Sequence, residues 1–210
     1  YATAYAGADI ENSTVSHHDA LGSSGGQGGG GLFFGYGAYG YIPNSTISGN
    51  TAPNGVGGGI ATYTIESSPT LELDSVTITQ NSADRTGGID SDTFATVRIE
   101  NTIVAQNTAN DAAPDVAGTF DSNGSNFIGD GGSATGFDTS DMVGNSSAPL
   151  DAMLAPLGDN GGPTLTHHPM GGSPVIDVSA STSNFRDQRD VPRPLDGDGG
   201  GDPAAVRDIG

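Results

Sequence analysis

Residues 42–50 read Ile42-Pro43-Asn44-Ser45-Thr46-Ile47-Ser48-Gly49-Asn50, and the pattern returns along the chain. Ile10-Glu11-Asn12-Ser13-Thr14-Val15 precedes it. Leu73-Asp74-Ser75-Val76-Thr77-Ile78 and Ile99-Glu100-Asn101-Thr102-Ile103-Val104 follow. Each copy sets one aliphatic residue five positions before another. Three residues after the second aliphatic come His18, Asn50, Asn81 and Asn107. A glycine block then leads into a third aliphatic, in Gly29-Gly30-Gly31-Leu32, Gly57-Gly58-Gly59-Ile60 and Gly87-Gly88-Ile89. Asn126-Phe127-Ile128-Gly129-Asp130 reads as a fainter fifth copy, with Phe127 in the place of Val15, Ile47, Ile78 and Val104.

Short runs rich in Val, Ile and Thr between turn residues are strands. No stretch carries a helical period. Self-similarity at about 20–30 residues describes one solenoid coil per repeat. Stacked coils place equivalent strands in parallel, about 4.8 Å apart. Aliphatics then form inward ladders. Asn50, Asn81 and Asn107 form a structural ladder in which each amide bonds its neighbour and the backbone. The uneven spacing of the copies puts the length differences in the loops. The expectation is an all-β parallel solenoid of four to five coils over residues 1–145. An irregular C-terminal segment, 146–210, folds back as a cap.

The composition agrees. The hydrophobic share is 33%, with 35 Gly and 12 Pro, which suits a thin repetitive core rather than a large round one. The net charge is −19, and the six cations are all arginine: Arg85, Arg98, Arg186, Arg189, Arg193 and Arg207. Such a chain does not track a phosphate backbone, so no nucleic acid is expected as a partner. Its acidity favours solubility and divalent cations. Cysteine is absent, so there is no disulfide or thiolate site. No run approaches the roughly 18 apolar residues of a membrane span.

Beyond Gly144 the repeat fades into Leu154-Ala155-Pro156-Leu157-Gly158-Asp159-Asn160-Gly161-Gly162-Pro163-Thr164-Leu165-Thr166-His167. Then come Gly172-Ser173-Pro174-Val175-Ile176-Asp177, Arg186-Asp187-Gln188-Arg189-Asp190-Val191-Pro192-Arg193-Pro194, and Asp208-Ile209-Gly210. This ordered series over residues 150–210 resembles bacterial secreted and surface proteins of the choice-of-anchor Q type, which carry pectin-lyase-like repeats. The resemblance implies a right-handed parallel β-helix and a secreted, extracellular or cell-surface location. It implies no enzymatic activity. Beside those proteins the 210 residues read as a module of a longer one.

Several groups are candidates for chemistry. Asp196, Asp198 and Asp202 alternate with glycine, so their oxygens are able to converge as calcium requires, with Asp208 as a later ligand. Phe33, Phe34, Tyr36, Tyr39 and Tyr41 form an aromatic patch suited to binding a polysaccharide. Asp84, Asp90, Asp92, Asp111 and Asp115 cluster near the third coil, where two or three convergent carboxylates would serve a hydrolase. Solvated loop acids are the plainer account of them. A lyase would need a cationic base, and only Arg85 and Arg98 fall within the repeats. Arg98, between Val97 and Ile99, should point outward. His18 takes a ladder position, and His167 is read as a packing residue. Sequons stand at Asn12, Asn44, Asn123 and Asn145. The first two are read as ladder residues and Asn145 as a surface site.

The functional expectation is an extracellular or cell-surface structural and adhesive matrix protein. Open coil edges would let it self-assemble head to tail into filaments. The rival is a carbohydrate-active or carbohydrate-binding β-helix.

Overall fold

The computed structural model describes residues 6–21, 28–64, 66–110, 113–194 and 206–210. Among the described residues there is no helix. The chain is a parallel β-solenoid of about four turns. One wall has five strands: Gly7–Asp9, Tyr39–Pro43, Thr70–Asp74, Thr96–Glu100 and Asp121–Ser122. The next has six: Thr14–Ser16, Thr46–Ser48, Thr77–Thr79, Ile103–Ala105, Phe127–Ile128 and Met142–Val143. The remaining side is split between a three-stranded strip that includes Ser82–Ala83 and a four-stranded strip that includes Leu32–Gly35 and Ile60–Tyr63. Every paired strand is parallel to its neighbour.

The register follows the sequence repeats. Ile42 pairs with Leu73, and Leu73 with Ile99. Ile47 pairs with Ile78, and Ile78 with Val104. Both columns lie in the core. The five-residue spacing is one inward side chain on each side of a corner. At that corner Asn12, Asn44, Ser75 and Asn101 take φ of 49, 46, 60 and 48°. The left-handed conformation bends the chain from one wall to the next, and Asn tolerates it better than most residues. So Asn12 and Asn44 are corner residues and not ladder residues, contrary to expectation.

The fifth copy is shifted by one residue from its sequence alignment. Ile128, not Phe127, pairs with Val104 and enters the core, while Phe127 pairs with Ile103. Phe127 then faces outward into a second apolar cluster with Ile103, Ala105, Leu154, Val175 and Ile209. That cluster joins the six-stranded wall to the C-terminal segment. Burying each such side chain contributes about 1.5–3 kcal/mol.

The described C-terminal segment folds back along the flank of the solenoid as a strap. It is held from the late coils back to the first. Ala180 N donates to Ser125 Oγ at 3.0 Å, Ser181 Oγ to Glu100 Oε1 at 2.7 Å and Ser183 Oγ to Asp74 Oδ1 at 2.8 Å. Asn44 Nδ2 donates to the Arg186 carbonyl at 2.9 Å, and Thr14 Oγ1 to the Leu165 carbonyl at 2.6 Å. The strap explains why the strands Thr46–Ser48, Thr77–Thr79 and Ile103–Ala105 are buried at every position.

Candidate functional site

The asparagine ladder is complete. Asn50 Nδ2 donates to Asn81 Oδ1 at 2.9 Å, and Asn81 Nδ2 to Asn107 Oδ1 at 2.9 Å. The same oxygens accept the backbone N–H of Asn50 and Asn81 at 3.0 Å. His18 N donates to Asn50 Oδ1 at 3.1 Å, so the histidine stands in the ladder through its backbone. Asp115 ends the row: its Oδ1 accepts Asn107 Nδ2 at 2.9 Å, and its Oδ2 accepts Asp130 N at 2.8 Å. Burial pushes the Asp115 carboxyl up to about 6, against the pull of those hydrogen bonds. The glycine blocks make room for the ladder. A Cβ on Gly88 would stand 3.0 Å from Asn107 Nδ2 and 2.2 Å from the Asp115 carbonyl oxygen.

The C-terminal motif residues meet on the six-stranded wall. His167 is buried; its Nδ1 lies 2.7 Å from the Ala155 carbonyl and its Nε2 2.8 Å from Ser48 Oγ. This is a neutral ring donating through Nδ1 and accepting through Nε2, and burial lowers its pKa. Gln188 Oε1 accepts Thr46 Oγ1 at 2.7 Å, while its Nε2 donates to the Ser13 carbonyl at 3.1 Å and Thr164 Oγ1 at 2.9 Å. Ile209 N donates to the Val175 carbonyl and Gly210 N to the Asn101 carbonyl, both at 2.9 Å. These residues fasten the strap.

The five-stranded wall carries no such cover from the described strap over its central outward row. That row reads Asp9, Tyr41, Glu72, Arg98 and Asp121 in register. Arg98 points outward as expected and bridges Glu72 at 3.2 Å and Asp121 at 3.1 Å. Tyr39 is 40% exposed, Phe33 43% and Tyr36 62%, and Tyr41 is half-buried. Tyr39 Oη donates to Glu72 Oε2 at 3.4 Å. Phe34 departs from the expected patch: it is buried in the core, over the space left by Gly40, where a Cβ would stand 2.5 Å from its ring. Of the remaining four aromatics, Tyr41 stands in the row, Tyr39 lies on the same strand, Tyr36 in the turn before it and Phe33 on the preceding four-stranded strip.

Among the described residues the acidic cluster forms no group of three convergent carboxylates. Asp90 is buried; Arg85 Nε and Nη2 reach it at 2.8 and 2.6 Å, and Thr86 Oγ1 at 2.9 Å. Asp92 Oδ2 accepts Thr64 N at 2.8 Å, and Asp84 Oδ1 accepts Asn110 Nδ2 at 3.0 Å. Each of these carboxylates braces a turn. Asp111 lies outside the described residues, as do Asp196, Asp198 and Asp202. Asn145 is exposed, as expected of a surface site.

The ladder end at Asp115 escaped sequence reading because it comes from a loop rather than from the repeat position. Gln188 escaped because nothing near it in sequence marks a buried clamp. Comparison with protein-family models, with curated proteins and with solved structures finds no match to this chain.

Proposed function

We propose that this chain is an extracellular adhesive module that holds an extended polysaccharide against its five-stranded wall. The carrying observation is the outward row of Tyr41, Glu72 and Arg98 on the wall that also exposes Tyr39, with Tyr36 in the turn leading onto it and Phe33 exposed on the preceding strip. Aromatic faces stack on the apolar faces of sugar rings, and charged neighbours at strand spacing bond the hydroxyls between them. The strap covers the adjoining six-stranded wall and leaves the outward row of the five-stranded wall uncovered. Export and a surface location rest on the resemblance of the C-terminal motif series to choice-of-anchor Q proteins. Calcium at Asp196, Asp198 and Asp202 belongs to the same reading and is checked by calorimetric titration. The deciding experiment is retention on immobilised neutral and acidic polysaccharides, with Tyr39→Ala/Tyr41→Ala as the comparison. Equal retention of the two proteins rules the wall out.

A second reading is self-assembly. Gly7–Asp9 and Thr14–Ser16 are edge strands at one end of the stack and Met142–Val143 at the other, while Asp121–Ser122 is covered by the following loop through Ser122 N and the Gly136 carbonyl at 3.2 Å. Free strand edges of this kind pair with other chains. Negative-stain microscopy across salt and calcium conditions tests it, and only monomers throughout would exclude filaments.

A further inference from the structure

Three columns of side chains face outward from the five-stranded wall. The first holds Tyr39, Thr70 and Thr96. The second is the row of Asp9, Tyr41, Glu72, Arg98 and Asp121. The third holds Pro43, Asp74 and Glu100, whose two carboxylates also accept the strap hydroxyls of Ser183 and Ser181. Among the described residues of the wall, Arg98 is thus the one cation, set among the carboxylates of Asp9, Glu72, Asp74, Glu100 and Asp121.

The wall has no second source of positive charge. The six cations of the chain are all arginine, and the other five are held elsewhere. Arg85 pairs with Asp90, Arg186 with Asp190 and Arg189 with Asp187. Arg193 and Arg207 line the cavity between the strap and the six-stranded wall. Arg98 itself is clasped from both sides, by Glu72 at 3.2 Å and Asp121 at 3.1 Å. The wall's own side chains register its sign: burial first, then the Asp74 and Glu11 carboxylates, hold the Tyr41 phenol above its ordinary 10.0.

An ionised carboxylate only accepts hydrogen bonds. Glu72 Oε2 already takes Tyr39 Oη, so even the aromatic hydroxyl spends its proton within the wall. A ligand on this face must therefore bring donors and no negative charge. We propose that the wall takes a neutral polysaccharide rich in free hydroxyls and rejects polyuronates and sulfated chains. The inference rests on the reading of this wall as a polysaccharide surface, and names the class of chain it holds. Like charges brought together at an interface are costly. The net charge of −19 adds a long-range field that turns polyanions away before contact. The one group able to draw a uronate is Arg98, and Glu72 and Asp121 neutralise it.

The test uses the complete 210-residue chain in EDTA, on immobilised pairs of polymers that share a backbone. The pairs are hydroxyethylcellulose and carboxymethylcellulose, dextran and dextran sulfate, and polygalacturonate as its methyl ester and as the free acid. A neutral member is expected to retain the chain equally at about 20 mM and about 300 mM salt, and its acidic counterpart to bind at least about tenfold more weakly at the lower salt. Glu72 and Asp121 are both solvent-accessible, so Glu72→Gln/Asp121→Asn leaves the fold in place and frees Arg98. This variant should bind the acidic member at least about tenfold more tightly than the parent does, a gain that misfolding does not produce. Retention on none of the polymers sinks the polysaccharide reading of the wall, and this inference with it. Equal retention on both members of a pair, lost from both in Tyr39→Ala/Tyr41→Ala, keeps that reading and overturns this inference alone. So does a Glu72→Gln/Asp121→Asn protein that rejects the acidic member as the parent does. Acidic retention that exceeds neutral retention once calcium replaces EDTA also overturns it, and marks a surface that grips polyanions through bridging ions.

Discussion

Asp115 Oδ1 lies 3.0 Å from the backbone nitrogen of Asn107 and 2.9 Å from its Nδ2, and so takes the place that a fourth asparagine would hold. Each asparagine in the row passes one amide to the oxygen below it. A carboxylate is the natural last member, because it accepts on both oxygens and has nothing to donate. Asn126 repeats the device at the first corner, where its backbone nitrogen and Nδ2 both reach Asp141 Oδ1 at 2.9 Å.

The Asp115 carboxyl is raised to about 6 by burial, above its ordinary 3.8. The native state then holds a proton that the unfolded chain has already lost, and stability rises as pH falls from above 6 towards 4. A shift of this size is worth about 3 kcal/mol. Asp115→Asn should flatten that slope in urea titrations at pH 4, 5, 6 and 7. It should also lose the Asp130 N–H bond, since an amide nitrogen replaces one oxygen. An unchanged slope would assign the pH dependence elsewhere.

His167 works with the opposite sign. Its pKa is lowered by burial, so below the ordinary 6.5 the unfolded chain takes a proton that the native ring refuses. The strap should loosen as pH falls below about 6.5. Hydrogen exchange of the Ala155 and Thr166 amides, followed against pH, should show earlier opening there than in the coil strands.

Asn81 is fully buried and donates through Nδ2 to Asn107 Oδ1, the Ile47 carbonyl and the Thr79 carbonyl. Asn81→Ala strands these acceptors and the Asn50 amide, at about 3 kcal/mol in all. Chemical denaturation measures it. Asn145→Ala, on the exposed side, should cost less than about 0.5 kcal/mol.

Gly58 sits where a Cβ would stand 2.4 Å from the Gly87 carbonyl oxygen and 2.7 Å from the Ser82 backbone. Neither neighbour is able to swing aside, so Gly58→Ala should destabilise by about 3 kcal/mol. Gly171 has no heavy atom within 4 Å of such a Cβ, and Gly171→Ala should leave the melting temperature unaltered.

The coil was legible because one short motif encodes three requirements together. Ile42 and Ile47 are inward, Asn44 is the left-handed corner, and Asn50 is the ladder rung. Sequence spacing recovered the inward residues and the rung, and misread the corner, since Asn serves both uses. The one-residue slip at Phe127 was hidden because Phe127 and Ile128 are both apolar and both buried. Only the strap, which buries the outer face as well, tells them apart. The strap's path was not legible, because its contacts to Ser13, Thr46 and Asp74 reach across more than a hundred residues.

That path has a kinetic consequence. Repeat stacks ordinarily grow coil by coil, each coil contacting only its neighbours. Here Gln188 bonds Ser13 and Thr14, so the first coil is completed only by a residue 175 positions downstream of Ser13. The early coils must wait, assembled but with one flank bare, until the returning segment closes over them, and the exposed Thr-rich strands pass through the stage at which sticky intermediates form.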